Sequence, residues 1–251
     1  MYQILPALRK SVSTLRRWSL WRCLLPPFVV ALAVFTALLY WGYAPCVNLA
    51  LQIPPFRWVV NGDQLWLALL LSSFAIWALF SSMAYLIALL VAALLMRPLI
   101  LHDVAGKDYP KLARMGQSNP KASLRNTLSA ALGFTVGWMV TLVFLVIPGV
   151  GFILPLLLIA WLNRRVFAYD ALVAFATSEE WQRIRRRNSR PLSILALMLS
   201  MLAHIPFFGL FVSGFAALAY THYELEMLSQ LRADMTAQAS LLHVIQQADE
   251  P

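Results

Sequence analysis

Long apolar segments alternate with short polar segments along this chain, and the polar segments carry most of its positive charge. The apolar segments cover residues 24–43, 64–96, 126–163 and 191–223, and proline and glycine interrupt the last two near their middles. Eighteen of the twenty Lys and Arg residues lie in the stretches 9–22, 97–125 and 164–190. This alternation is typical of a polytopic membrane protein whose basic segments all stay on one side of the bilayer.

The first two apolar segments predict long helices. Residues 64–96 contain no proline, glycine or charge, and as a helix they would measure about 50 Å, against a hydrocarbon core of roughly 30 Å. We expect this helix to tilt or to project beyond the bilayer, and to end at Arg97–Pro98. Residues 24–43 predict the other long helix, and residues 44–63 an external loop.

The last two apolar segments predict helical hairpins. Each is turned at a proline and glycine break, 147–151 in residues 126–163 and 205–209 in residues 191–223. Residues 126–147 could span, but the other three arms have about 15–17 residues, fewer than the ~20 of a full span, so we expect the hairpins to enter the membrane only partly. Four full spans would satisfy the charge pattern equally well, and only the arm lengths favour hairpins.

Amphipathic segments are predicted at both ends of the chain. In residues 1–22, Leu8, Val12 and Leu15 recur at helical spacing among basic residues, which predicts a cytoplasmic helix lying on the membrane surface. Residues 224–251 predict a separate cytoplasmic C-terminal helix with acidic and polar neighbours on its outer face. We therefore expect one membrane domain, all-α, spanning residues 1–251.

Composition supports a membrane protein over a soluble one. Hydrophobic residues make up 61% of the chain and charged residues only 12%, with a mean hydropathy of +0.70. A net charge of +9 would suggest nucleic acid in a soluble protein, but basic loops beside apolar spans are explained by cytoplasmic retention and anionic lipid. The expected partner is the lipid bilayer, and no nucleic acid is expected.

Candidate binding groups are few, and each has two interpretations. The break around Gly149 and Gly151 could offer free backbone amides to an anion, or could simply turn a hairpin. Arg22, at the membrane boundary, could bind an anion or could snorkel to the interface. His204 could carry protons or could be a neutral hydrogen-bonded histidine. The arginine run 183–190 could concentrate anions at a cytoplasmic mouth or could face lipid. We expect no catalytic site, no metal and no cofactor, because no motif of that kind occurs.

The order and spacing of several motifs from residue 126 onward resemble a known family. The motifs are Ile147–Gly151, Ala160–Trp161, Phe167–Asp170, Ser178–Trp181 with the arginine run, and Ile205–Phe211. They are similar to those of the CysZ-type sulfate permeases and the wider etoposide-induced-protein membrane family, and the likeness covers roughly residues 15–226. The chain departs from the family by keeping only Arg22 of an arginine pair and by having Gly209 where the family has Asn.

This resemblance implies an all-helical fold with two long helices and two partly penetrating hairpins, assembled as a homo-oligomer. It implies a bacterial inner-membrane protein, multi-pass, with both termini cytoplasmic. The function that we expect is a permease or channel for a small inorganic anion, sulfate or a related oxyanion, with Arg22, Gly149, Gly151 and His204 in the pathway. The alternative is a membrane-organising or assembly protein that transports nothing.

Overall fold

Helices make up nearly all of the part of the chain that the computed structural model describes: residues 3–54, 56–116, 120–144, 147, 150–205 and 208–249. Within these residues no strand occurs. The helices are α1 Ile4–Thr14, α2 Trp18–Ala37, α3 Tyr43–Gln52, α4 Phe56–Asn61, α5 Leu65–Val91, α6 Arg97–Asp108, α7 Pro120–Phe144, α8 Val150–Leu172, α9 Ser178–Arg187, α10 Ser189–Ala203 and α11 Phe208–Asp249.

The first long helix extends well beyond its predicted limits. Helix α2 continues through a π-helical turn, Leu38–Gly42, into α3, so the backbone stays helical from Trp18 to Gln52. The expected external loop is therefore partly helical. The wide turn directly precedes Pro45, whose ring nitrogen cannot donate to the carbonyl four residues back. A π turn changes the hydrogen-bond pattern at this point and lets the helix continue.

The second long helix does not end at Arg97–Pro98, and that prediction was wrong. As in the first long helix, a π turn lets the helix continue near a proline. A π turn, Ala92–Met96, joins α5 to α6, and the helix continues to Asp108. The combined length from Leu65 is about 66 Å at 1.5 Å per residue. Among the described residues, two helical stretches are long and apolar enough to cross a membrane, Leu24–Gln52 and Leu65–Leu94. The predicted class, all-α with two long apolar helices, is confirmed.

Helices α7 and α8 pack against each other as neighbours in sequence. Two glycines of α7 allow the close approach: a Cβ at Gly133 would lie 2.9 Å from Trp161, and one at Gly137 would lie 2.6 Å from Leu158. Small residues at a helix contact are the usual means of bringing two backbones together in a membrane. The break residues Pro148 and Gly149 lie outside the described residues.

Helix α11 is the central element, and it merges two segments that the sequence had separated. Residues 208–223 and the predicted C-terminal helix 224–251 form one continuous helix to Asp249, of 42 residues. It contacts α1, α2, α5, α6, α8, α9 and α10. Its middle is buried all round, as at Ala216, Tyr220 and Leu228, which is the pattern of a core helix.

Helix α1 packs on α11, and its packed face includes the predicted Leu8 and Leu15 but not Val12. Its buried residues are Ile4, Ala7, Ser11 and Thr14, whereas Val12 is 56% exposed. Polar contacts fix this docking: Lys10 forms an ion pair with Glu226 at 2.7 Å, and the Thr14 hydroxyl lies 3.0 Å from Nε2 of buried His222. The small residues of α1 face the protein because they allow the two helices to pack closely. The spacing of large apolar residues in the sequence does not indicate that these small residues are buried.

Candidate functional site

A cavity of about 550 Å³ lies where five helices meet: α7, α8, α9, α10 and α11. This volume is within the range of small-molecule binding sites. Arginine and aromatic side chains dominate its wall, and one acid contributes. The lining residues used below are Asn126, Trp161, Arg164, Arg165, Tyr169, Trp181, Arg185 and Glu224.

Two of the arginines, on α8, are positioned by hydroxyl groups and not by carboxylates. Arg164 donates from Nη1 to Ser193 Oγ at 2.5 Å and from Nη2 to Ser189 Oγ at 3.1 Å. Arg165 donates from Nη2 to Ser129 Oγ at 3.1 Å and lies over the Trp161 ring, 5.2 Å from its centroid. These neutral partners orient the guanidinium groups without cancelling their charge.

The third arginine reaches the cavity from α9. The guanidinium of Arg185 lies 4.9 Å from the centroid of the Trp181 ring, so the ring face supports it and its edge stays open. Helix α9 itself begins with a capping box, in which the Thr177 hydroxyl and the Glu180 carboxylate each accept a backbone N–H. In the described part of the chain, none of the three cavity arginines has a carboxylate within ion-pair distance.

The inner wall of the cavity carries a buried acid, Glu224 of α11. It is 1% exposed, and its Oε2 has no hydrogen-bond partner within the described residues. It lies outside the two membrane-spanning stretches. Burial raises the pKa of its carboxyl to about 8, although the nearby Arg164 charge acts in the opposite direction. Burial thus favours the neutral form of this acid.

Further buried polar groups continue from Glu224 into the helix bundle. Asn163 Oδ1 accepts a hydrogen bond from the Tyr85 hydroxyl at 2.7 Å, while Asn163 Nδ2 has no partner among the described residues. The hydroxyl of Tyr220, one turn before Glu224, is also without one. Both side chains are fully buried. Unpaired buried polar atoms are uncommon and costly, and they recur at ligand sites.

The residues predicted for the pathway lie elsewhere or outside the described part. Gly149 is not described, and for Arg22 only the backbone is, in the second turn of α2. Gly151 is the second residue of α8 and lies about 20 Å along the helix from Arg164. His204 ends α10, half-buried, with Nδ1 2.8 Å from the Ser200 carbonyl oxygen. Of these residues, His204 is described with its side chain, and it does not line the cavity.

The sequence analysis named one charged residue of the cavity, Arg185 in the arginine run 183–190, and missed the other three. Arg164 and Arg165 served only as markers for the end of a hairpin arm, and Glu224 was assigned to a solvated helix face. A signal for Glu224 was present, because it is four residues from both Tyr220 and Leu228 and so falls on the apolar face of α11. An acid on an apolar face is unusual and is a candidate functional group.

Comparison with known proteins gives one match. Neither a curated protein nor a solved structure matches the chain. The family model described as sulfate transporter CysZ/etoposide-induced protein 2.4 matches residues 7–213. That range includes both long apolar helices, the α7–α8 pair and all of the cavity wall except Glu224. The chain belongs to the sulfate transporter CysZ/etoposide-induced protein 2.4 family of membrane proteins.

Proposed function

We propose that this protein is a permease or channel for a small inorganic anion, with sulfate or a related oxyanion as substrate. The observation that carries the proposal is the cavity wall, where Arg164, Arg165 and Arg185 converge without a carboxylate partner in the described chain. Membership of a sulfate transporter family gives the substrate class.

The chemistry of the wall fits an oxyanion. Guanidinium groups present several N–H donors in one plane and are more weakly hydrated than ammonium groups, so they suit tetrahedral anions. Serine hydroxyls and aromatic rings hold these three guanidinium groups in place, which lowers the entropy lost when an anion binds. Asn126, whose Nδ2 donates to the Arg165 carbonyl oxygen at 3.1 Å, orients the same part of α8.

The setting in the membrane is part of the proposal. Helix α7 exposes an apolar stripe at one-turn spacing, Leu128, Leu132, Val136 and Met139, all more than half exposed. Such a stripe is what lipid or a second copy of the chain would cover. We infer that the α7–α8 and α10–α11 hairpins enter the bilayer from the cytoplasmic face of an inner membrane. Both termini would then be cytoplasmic, the chain multi-pass and the assembly a homo-oligomer.

The residues predicted from sequence keep a role in this proposal at the other end of the hairpins. Gly151 lies in the first turn of α8, where backbone N–H groups have no partner within the helix, and His204 ends α10. In this proposal an anion passing the hairpins would meet these groups, and Gly149 stays a proposed residue of the same pathway. Arg22 is proposed as an anion contact near the membrane boundary.

Sulfate flux into liposomes containing the purified protein tests the proposal. The variants Arg164→Gln and Arg185→Gln each remove one guanidinium group from the cavity, and Arg22→Ala tests the predicted boundary contact. Losing one charge-assisted hydrogen bond costs about 1.5–3 kcal/mol, which corresponds to a 10- to 100-fold weaker half-saturation for the better-buried Arg164. Arg186→Gln is the matched control, because Arg186 is exposed on α9 beside Arg185 and does not line the cavity.

Two outcomes would contradict this function. Absence of binding and flux for sulfate, sulfite and thiosulfate would favour the non-transporting, membrane-organising alternative. Equal flux in Arg164→Gln and Arg186→Gln would show that the cavity is not the site, even if sulfate crosses the membrane.

A further inference from the structure

Glu224 places an acidic group where the proposed substrate is an anion. Its carboxyl is buried on the inner wall of the cavity, and Oε2 has no partner among the described residues. An ionised carboxylate there would repel sulfate from the guanidinium groups. A neutral carboxyl would instead donate a hydrogen bond to an anion oxygen.

The groups facing Glu224 leave its protonation dependent on what occupies the cavity. Among the described residues, Arg164 is the charge that acts on Glu224, and the other charges on the wall are Arg165 and Arg185, both exposed. The tyrosines near Glu224 are Tyr169 on the wall, Tyr223 beside it on α11 and, toward the bundle, Tyr85 and Tyr220. Helices α7 and α10 contribute Asn126 and Leu192 to the wall, and neither titrates.

The charged groups of α1 and α6 belong to a different cluster on α11. Lys10 pairs with Glu226, and Lys10, Arg17 and Asp108 act on His222. Residues two apart on a helix point to different sides. Glu224 is therefore separated from that cluster, although Glu226 and His222 are each only two residues away.

We propose that Glu224 is the proton-binding residue of the anion site, so that its neutral carboxyl and the Arg164 guanidinium bind the oxyanion together and one proton enters with each anion. The inference rests on the proposed anion-transport function. The proton comes from solvent and forms the O–H bond of the Glu224 carboxyl, and release of the anion lets that proton leave. The unpaired Tyr220 hydroxyl and Asn163 amide extend the same polar surroundings inward.

The first test is the pH dependence of sulfate binding between pH 7 and 9.5, a range in which sulfate itself does not titrate. Above the pKa of Glu224, wild-type affinity should fall about tenfold per pH unit, because one proton is linked to each bound anion. In Glu224→Gln the affinity should not change with pH. Glu179→Gln removes an exposed acid on α9 and should keep the wild-type dependence.

The second test observes the carboxyl directly, so it does not depend on a variant that binds sulfate. Infrared difference spectroscopy on the wild type at pH 7 should show a protonated carboxyl band that Glu224→Gln lacks. At pH 9, where this band is weak, adding sulfate should restore it, since linkage is reciprocal. If Glu224→Gln fails to fold, the wild type alone still tests the proton link, through the presence or absence of the sulfate-induced carboxyl band.

The outcomes separate the two proposals. A wild type that transports sulfate with the same affinity at pH 7 and pH 9.5, or whose carboxyl band does not respond to sulfate, contradicts the proton link and leaves anion transport intact. A wild type that neither binds nor transports sulfate at any pH overturns both. A pH dependence that persists unchanged in Glu224→Gln assigns the proton to another group.

Discussion

Replacing Arg232 by alanine should strongly destabilise the packing of α11 against α9. Arg232 joins α11 to α9 and to two loops through hydrogen bonds. Its guanidinium binds both oxygens of Glu180, at 2.8 and 3.0 Å, and donates to the carbonyl oxygens of Ala113 and Phe175, each at 2.7 Å. The pair is largely buried, with side-chain exposures of 18% for Arg232 and 11% for Glu180.

The magnitude follows from what alanine leaves behind. Two carbonyl oxygens lose a charged donor, and the Glu180 carboxylate keeps its negative charge in a poorly hydrated place. Removing one partner of a buried ion pair typically costs about 3–5 kcal/mol. For a chain of this size each kcal/mol corresponds to about 2–4 °C, so we expect the melting temperature to fall by roughly 6–20 °C. Arg232→Lys should recover only part of the loss, because an ammonium group cannot bind both carboxylate oxygens and both carbonyls in this geometry.

Thermal unfolding of the purified protein in detergent, followed by tryptophan fluorescence, measures this effect. Arg186→Ala is the control, since Arg186 is an exposed arginine on α9 and its loss should shift the melting temperature by less than about 2 °C. The reasoning would be refuted if Arg232→Ala and Arg186→Ala melted within a degree or two of each other. Glu180→Gln should fall between the two, because the backbone carbonyls keep their donor.

The remaining predictions concern acid, backbone space and a buried hydroxyl. Arg232 and the hydrogen bonds to Thr177 lower the pKa of Glu180 below its ordinary 4.5. The stabilisation of the fold by this ion pair is therefore full above pH 4.5 and is lost as the pH falls through the lowered pKa. Melting curves from pH 3 to 7 should show a decline below pH 4.5 that Arg232→Ala lacks. Gly116→Ala should destabilise the protein, because the new Cβ would lie 2.3 Å from the Val173 carbonyl oxygen. A Cβ at Gly106 would have nothing within 4 Å, so Gly106→Ala should be neutral or stabilising by up to about 1 kcal/mol in the same melting assay. Tyr85→Phe should cost about 1–3 kcal/mol, because Asn163 Oδ1 would lose its donor, and a wild-type melting temperature would contradict that role.

The resemblance described in the sequence analysis places Gly209 where the family has an asparagine. A Cβ at Gly209 would lie 2.0 Å from the Ala203 carbonyl oxygen, and the Gly209 N–H donates to the Ile205 carbonyl oxygen at 2.7 Å. The backbone passes too close here for any side chain, so an asparagine at this position would collide with the end of α10.

The sequence predicted the class of fold because lipid imposes simple rules. Uncharged stretches such as 64–96 and the basic segments beside them identify long helices and polar connections without any tertiary information. Helix ends were less predictable. A proline such as Pro98 disfavours a continuing helix, yet a π turn, Ala92–Met96, joins α5 to α6 just before it, and local sequence does not reveal this turn.

The cavity could not be predicted because it depends on contacts between distant segments. Arg164 and Arg185 are separated by a loop and most of a helix, and the hydroxyl partners of Arg164 and Arg165 come from yet other helices. Whether an arginine in a basic stretch faces lipid, solvent or a cavity is decided by packing. Glu224 was the one exception, since its place on an apolar helix face was visible in the sequence.

Helix α11 is continuous over its whole length, so its two ends move together. A rigid rod of 42 residues is about 63 Å long, and a tilt of 5° about its middle would move each end by about 2.7 Å in opposite directions. Arg232 anchors the second half of the helix, and the same tilt about Arg232 would move Glu224, about 12 Å along the helix, by about 1 Å. The helix therefore couples its N-terminal end to the cavity.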